Sequence, residues 1–287
     1  MTVAPTSQIF DLQRFAQQVA AAKGTLPDAL GNLLRGYGVL TSPAATEDPA
    51  NAILDAVVDG SLTEAKLQKM LPPAALADKT GEFRAGLAGR AERMCVQRWY
   101  RELEKGAADQ ILDSLRPEFD RHVEAIAEAK ACGINAESTL ETLIATGEPG
   151  LVGAWNNLGA HVQGIAKIAA VASEFGCQPK AMFPQVRAYT PGHVHLLDDR
   201  ALMCCDGGLL GDSSLFRRPD QGHRTSPYFR TPLKLRTIAE AQQWHDLWAA
   251  EEFDRIHVDR PRGGRIIDGV MVQDPVPVNP FKAKANA

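Results

Sequence analysis

Long apolar runs are missing from this chain. Its most apolar stretch, IAKIAAVA at 165–172, is short and interrupted by Lys167, far below the roughly 20 residues a bilayer-spanning helix requires. The opening residues, MTVAPTSQIFDLQRFAQQ, lack a cationic region followed by an apolar core, so neither a secretion signal nor a membrane span is expected. A surplus of positive charge is also missing. With 31 Lys and Arg against 35 Asp and Glu, the formal net charge is −4, which argues against a chain-wide footprint for nucleic acid and leaves room for a local basic patch. Cysteines are few and do not suggest a disulfide framework: Cys95, Cys132, Cys177, Cys204 and Cys205 are odd in number and scattered except for the last two, in a chain too large to need staples. A reducing cytoplasm is the expected setting. No internal repeat recurs at a fixed period.

The hydrophobic content is 45% over 287 residues, enough to bury the core of one large domain or two ordinary ones. The first eighty residues read as short helices. Asp48 before Pro49 supplies a helix start, Gly60 a stop, and Ser61 with Glu64 a capping box for a further helix that Pro72 and Pro73 should end. From Gly81 to Ala131 apolar or small residues recur every fourth position through Trp99, Leu103, Ile111, Leu115 and Phe119. That spacing drifts around a 3.6-residue helix, so the pattern predicts a kink or a break, most simply at Pro117. A buried helix from about Pro149 to Phe175, closed by Gly176, should form the centre of the core, with Gly153, Gly159 and Gly164 allowing close approach of a neighbour.

Ten of the eighteen prolines lie from Pro179 onward, favouring loops and short extended pieces. The exceptions are a helix from Ile238 to about Arg255, opened by the capping box of Thr237 and Glu240, and a hairpin turning at Asp268 and Gly269. The expected fold class is mostly α with a small β component, an α+β arrangement. Its regions are 1–80 (short helices), 81–180 (long helices) and 181–287 (loop-rich, with a proline-rich extended tail).

Three stretches carry residues suited to chemistry. In HVHLLDDRALMCC, residues 193–205, His193 and His195 would share one face of a strand and could converge on a metal. A third ligand is hard to place, because Cys204 and Cys205 would face opposite ways and Asp198 with Asp199 reads as a turn between strands. A solvated hairpin with a buried thiol is therefore preferred, and no metal or cofactor is expected. GDSSL at 211–215 together with DRIH at 254–257 resembles the first and last blocks of the GDSL-type serine hydrolases. That resemblance implies Ser213 as nucleophile with Asp254 and His257 completing a triad. It covers only these two short blocks and departs from the family's layout: the blocks lie close together and long helices precede both.

The third stretch, Arg217 to Arg236, sets Arg217, Arg218, Arg224, Arg230, Lys234 and Arg236 against the single acid Asp220, with His223, Tyr228 and Phe229 interleaved. Guanidinium groups pair with phosphates and rings stack on bases, but the first 180 residues hold 17 basic against 22 acidic side chains, so an acidic protein surface is also available. We expect Arg217, Arg218, Arg224 and Arg230 to form an interaction surface for another subunit, with nucleic acid the less favoured partner. Arg260, Arg262 and Arg265 read as a solvated turn, and His122 and His161 as hydrogen-bonded structural residues. The leading expectation is a non-catalytic assembly or scaffolding subunit that self-associates through long helices. The rival from another class is a metal-dependent or serine hydrolase built around residues 193–257.

Overall fold

A computed structural model of the chain describes residues 8–41, 53, 56, 63–135, 137–187, 197–206, 226–257, 264–267, 270–273 and 278–279. The helices are α1 (Ile9–Ala21), α2 (Asp28–Thr41), α3 (Glu64–Glu102), α4 (Ala108–Ala131), α5 (Leu140–Ala145), α6 (Pro149–Ser173), α7 (Asp199–Cys204), α8 (Pro227–Arg230) and α9 (Ile238–His257). No described helix is long and apolar enough to cross a membrane. The class is α-rich, and the β component expected of an α+β fold is not supported. Among the described residues the paired strands are β1 (Gly264–Ile267) and β2 (Val270–Gln273), antiparallel with Ile267 opposite Val270. Two four-residue strands make a ribbon, not a sheet layer on which helices can pack.

The chain divides into two compact units, Met1–Arg14 with Pro27–Lys105, and Phe15–Leu26 with Gly106–Ala287. In the first unit α2 packs along α3, and Ile9, Leu12, Leu30, Val96 and Trp99 are buried. The expected Ser61 capping box lies partly outside the described residues. Thr63 caps α3 instead, its Oγ1 accepting from the Lys66 amide at 3.3 Å. Contrary to expectation, α3 runs through Pro72 and Pro73. The carbonyls deprived of donors belong to Gln68 and Lys69, both exposed, and water can satisfy them. The helix expected to begin at Pro49 lies outside the described residues except at Ile53 and Ala56, both helical.

The predicted break of the long helix falls at Gly106, not Pro117. A π-type turn, Leu103–Ala107, contains Gly106 at φ 104°, a conformation costly for any residue with a Cβ. Pro117 lies inside α4. The carbonyl it leaves unpaired is that of Asp113, and both residues are exposed, so the cost is met by solvent.

The core of the second unit is built around α6, against which α4, α5, α7 and α8 pack. The buried face of α4 is Ile111, Leu112, Leu115, Phe119, His122, Ile126 and Ala129. After Phe119 this face leaves the four-residue stripe for alternating steps of three and four, so α4 needs no wrapping to bury it. Phe15 stands edge-on to Phe175 and Phe183, with centroids 5.6 and 4.9 Å away. Of the α6 glycines expected to admit a neighbour, Gly164 does so. A Cβ there would lie 2.0 Å from His122 Nε2, whereas one at Gly153 would meet nothing. Helix α9 starts as expected: the Glu240 amide donates to Thr237 Oγ1 at 3.2 Å and the Thr237 amide to Glu240 Oε2 at 3.0 Å.

Candidate functional site

Among the described residues, two concave features and one buried network hold groups capable of chemistry or recognition. The first feature lies in the unit containing α2 and α3. It is a groove of about 450 Å³ lined by Leu33 from α2 and by Ala91, Met94 and Cys95 from α3, with Arg98 and Arg101 along it. The Cys95 thiol lies 3.9 Å from the Leu33 carbonyl, and burial raises its pKa. Met94 is 69% exposed and Val39, on α2, 72%. Met94 borders the groove together with Leu33 and Ala91, and contiguous exposed apolar surface marks contacts, whereas isolated exposed apolar residues are ordinary.

The second feature is polar and belongs to the other unit. At the end of α1 the Gly24 amide returns to the Val19 carbonyl at 2.9 Å, which places Lys23 in the left-handed region with φ 63°. Its ammonium reaches Glu118 of α4 at 2.9 Å. One turn later on α4, Arg121 grips the same carboxylate with two donors, Nε at 3.0 Å and Nη2 at 2.5 Å. Hydrogen bonds from Arg121 first and Lys23 second hold the Glu118 carboxyl at about 2. His122 Nε2 lies 3.2 Å from Glu118, and His122 Nδ1 lies 3.0 Å from His161 Nδ1 on α6. With Glu118 accepting from Nε2–H, neutral His122 presents a lone pair at Nδ1 that His161 Nδ1–H fills. Burial, then the Arg121 charge, lowers the His122 pKa. Lys23, Glu118, Arg121, His122 and Lys167 border a cleft of about 230 Å³.

The network surrounds α7. Asp198 and Asp199 do not form a turn between strands. Asp198 caps α7, accepting from the Arg200 amide at 2.9 Å and from the Arg200 side chain at 2.7 Å. Asp199 is buried and accepts from the amides of Cys177 at 3.0 Å and Gln178 at 3.1 Å. Gly176 is obligatory there, since a Cβ would fall 2.1 Å from the Asp199 carboxyl carbon. Burial pushes up the Cys177 and Cys204 thiols, and Cys205 to about 11. All three are thiols at neutral pH, and the thiolate is the nucleophile and metal ligand. Arg236 is fully buried. Its Nη1 donates to the carbonyls of Leu202 at 2.9 Å and Cys205 at 2.5 Å, and its Nη2 to Asp206 at 2.9 Å, so this guanidinium caps the end of α7. It also stacks 4.4 Å from the Trp244 ring.

His193, His195, Ser213, Arg217, Arg218 and Arg224 lie outside the described residues. Among the described residues no cluster of three or more His, Cys, Asp or Glu is arranged to hold a metal ion. Arg230 is exposed at the end of α8. Asp254 sits on α9 and accepts from Asn279 Nδ2 at 2.9 Å. Tyr228 and Phe229 are buried, the latter under the Lys130 ammonium at 5.0 Å, so these two rings are not open platforms for bases. The sequence reading placed His122 and His161 among hydrogen-bonded residues but missed Lys23, Glu118, Arg121 and Lys167. The grouping of Glu118 with Arg121 and His122 at helical spacing was legible, whereas the approach of Lys23 and Lys167 depends on tertiary packing. Compared with protein-family models, with curated proteins and with solved structures, the chain finds no match in any of the three.

Proposed function

We propose that this protein is a non-catalytic assembly subunit that associates with further copies of itself through α2 and α3. The observation that carries this reading is the groove beside Met94. It presents the apolar side chain of Met94, 69% exposed, with Leu33 and Ala91, beside two arginines, Arg98 and Arg101. Apolar cores bordered by arginine are the composition of protein interfaces, and methionine adapts to the shape of what fills it. The buried thiols and acids around α7 support the same reading, because each is engaged in holding the fold. The exposed Arg230 would belong to the contact surface expected of the arginine stretch.

The test is molar mass in solution as a function of concentration, by sedimentation or light scattering, for the intact chain and for Met94→Glu. Mass should rise with concentration in the parent and stay at the monomer value in the variant, with the melting temperature of the monomer unchanged because Met94 is exposed. A parent chain that remains monomeric at high concentration rules the reading out.

A further inference from the structure

The polar cleft of the second unit has no part in that assembly reading, and its charges are out of balance. Lys23, Arg121 and Lys167 stand against the single carboxylate of Glu118, an excess of two positive charges within a protein whose net charge is −4. We propose that this cleft binds a phosphate group, free or esterified, through Lys23, Arg121 and Lys167.

Glu118 does not compete with such a ligand. It already accepts twice from Arg121 and once from Lys23, and the effect is to fix both cations side by side at the mouth of the cleft. Each keeps donors to spare: an ammonium has three and a guanidinium five, of which Glu118 takes one and two. Lys167, on α6 one turn beyond Gly164, makes no ion pair among the described residues. Gly164 and Ala160 on the same face of α6 keep that wall low. The His122 ring is lodged against Gly164, where a Cβ would overlap it, and is tied to Glu118 and His161, so the floor is rigid. A volume of about 230 Å³ lies below the roughly 300 Å³ at which drug-sized ligands begin to fit, so the cleft suits the phosphate group and a small organic part at most.

Lys23 supplies an independent observation. It is the one non-glycine residue with positive φ among the described residues, at a helix-ending position where glycine is the conformationally easy choice. Its ion pair with Glu118 leaves it 68% exposed, and exposed pairs return little stability. A lysine kept there at a conformational cost fits a side chain needed for recognition better than one needed for folding.

The experiment is calorimetric titration of the intact chain with inorganic phosphate, with glycerol phosphate, and with acetate as a monoanionic control, repeated on Lys167→Ala and Lys23→Gly. Saturable binding of a phosphate, tighter than acetate, is expected, weakened about tenfold or more in each variant, since one hydrogen bond to a charged group is lost. Lys23→Gly should keep or raise the melting temperature while losing affinity, a combination that a purely structural lysine would not give. Tighter binding of the ester than of the free ion identifies an organic phosphate as the source and the reverse identifies free phosphate; either supports the site. The proposal is overturned by absence of saturable binding, by acetate binding as tightly as phosphate, or by affinities unchanged in both variants.

Discussion

Arg236 and Arg230 sit six positions apart in the same arginine-rich stretch and do opposite things. Arg230 is exposed at the end of a short helix, while Arg236 is fully buried and bonded to two carbonyls and a carboxylate. Nothing in their immediate sequence separates them, because burial of a guanidinium depends on which helix end needs its donors. The consequence is measurable. Arg236→Met should destabilise the protein by about 3 kcal/mol in urea unfolding, since it leaves the terminal carbonyls of α7 buried without partners. Arg230→Ala should change stability by less than about 0.5 kcal/mol. Equal effects would contradict the assignment of the two roles.

Among the elements, what the sequence made legible was local. The capping box of Thr237 and Glu240 marks a helix start through its own hydrogen bonds and falls where expected, whereas α6 ends at Ser173 with Glu174 as its cap, and Gly176 beyond it serves to admit Asp199. Proline was misleading because its cost depends on whether the carbonyl four residues back can reach water. At Pro72, Pro73 and Pro117 the exposed surroundings allow it, so α3 and α4 continue. The cleft was legible only on α4, where Glu118, Arg121 and His122 lie one turn apart; no local pattern announces that α1 and α6 bring Lys23 and Lys167 beside them. Glycine is equally dependent on position. Gly106→Ala should cost about 1–2 kcal/mol, because φ 104° is strained for a residue with a Cβ. Gly153→Ala should stabilise by up to about 1 kcal/mol, since a Cβ there meets nothing on α6. Thermal unfolding of the two variants should therefore shift in opposite directions, and a shift of the same sign would show that one backbone assignment is wrong.

For the molecule as a whole, the buried histidines set the response to acid. Burial lowers the pKa of His122, with the Arg121 charge adding to it, and burial lowers that of His245 although Asp246 opposes it. The unfolded chain, titrating near 6.5, takes up these protons first. Stability is then fullest above that value and declines as pH falls toward the lowered folded values. Glu118, held at about 2 against an ordinary 4.5, adds a further loss between those two values. Asp199, raised by burial, works in the opposite direction at acid pH. The melting temperature should fall between about pH 7.5 and about pH 5.5, and a flat or rising profile there would exclude the histidine account.

The aromatic contact that joins Phe15 to Phe175 and Phe183 also bears on how the protein is made. Phe15 is synthesised 160 residues ahead of Phe175 and 168 ahead of Phe183. At roughly 5–20 residues per second the wait is on the order of ten to thirty seconds. For that interval the Phe15 ring lacks both of its aromatic partners, and a chaperone that binds exposed aromatic side chains has a target there until Phe175 and Phe183 have been made.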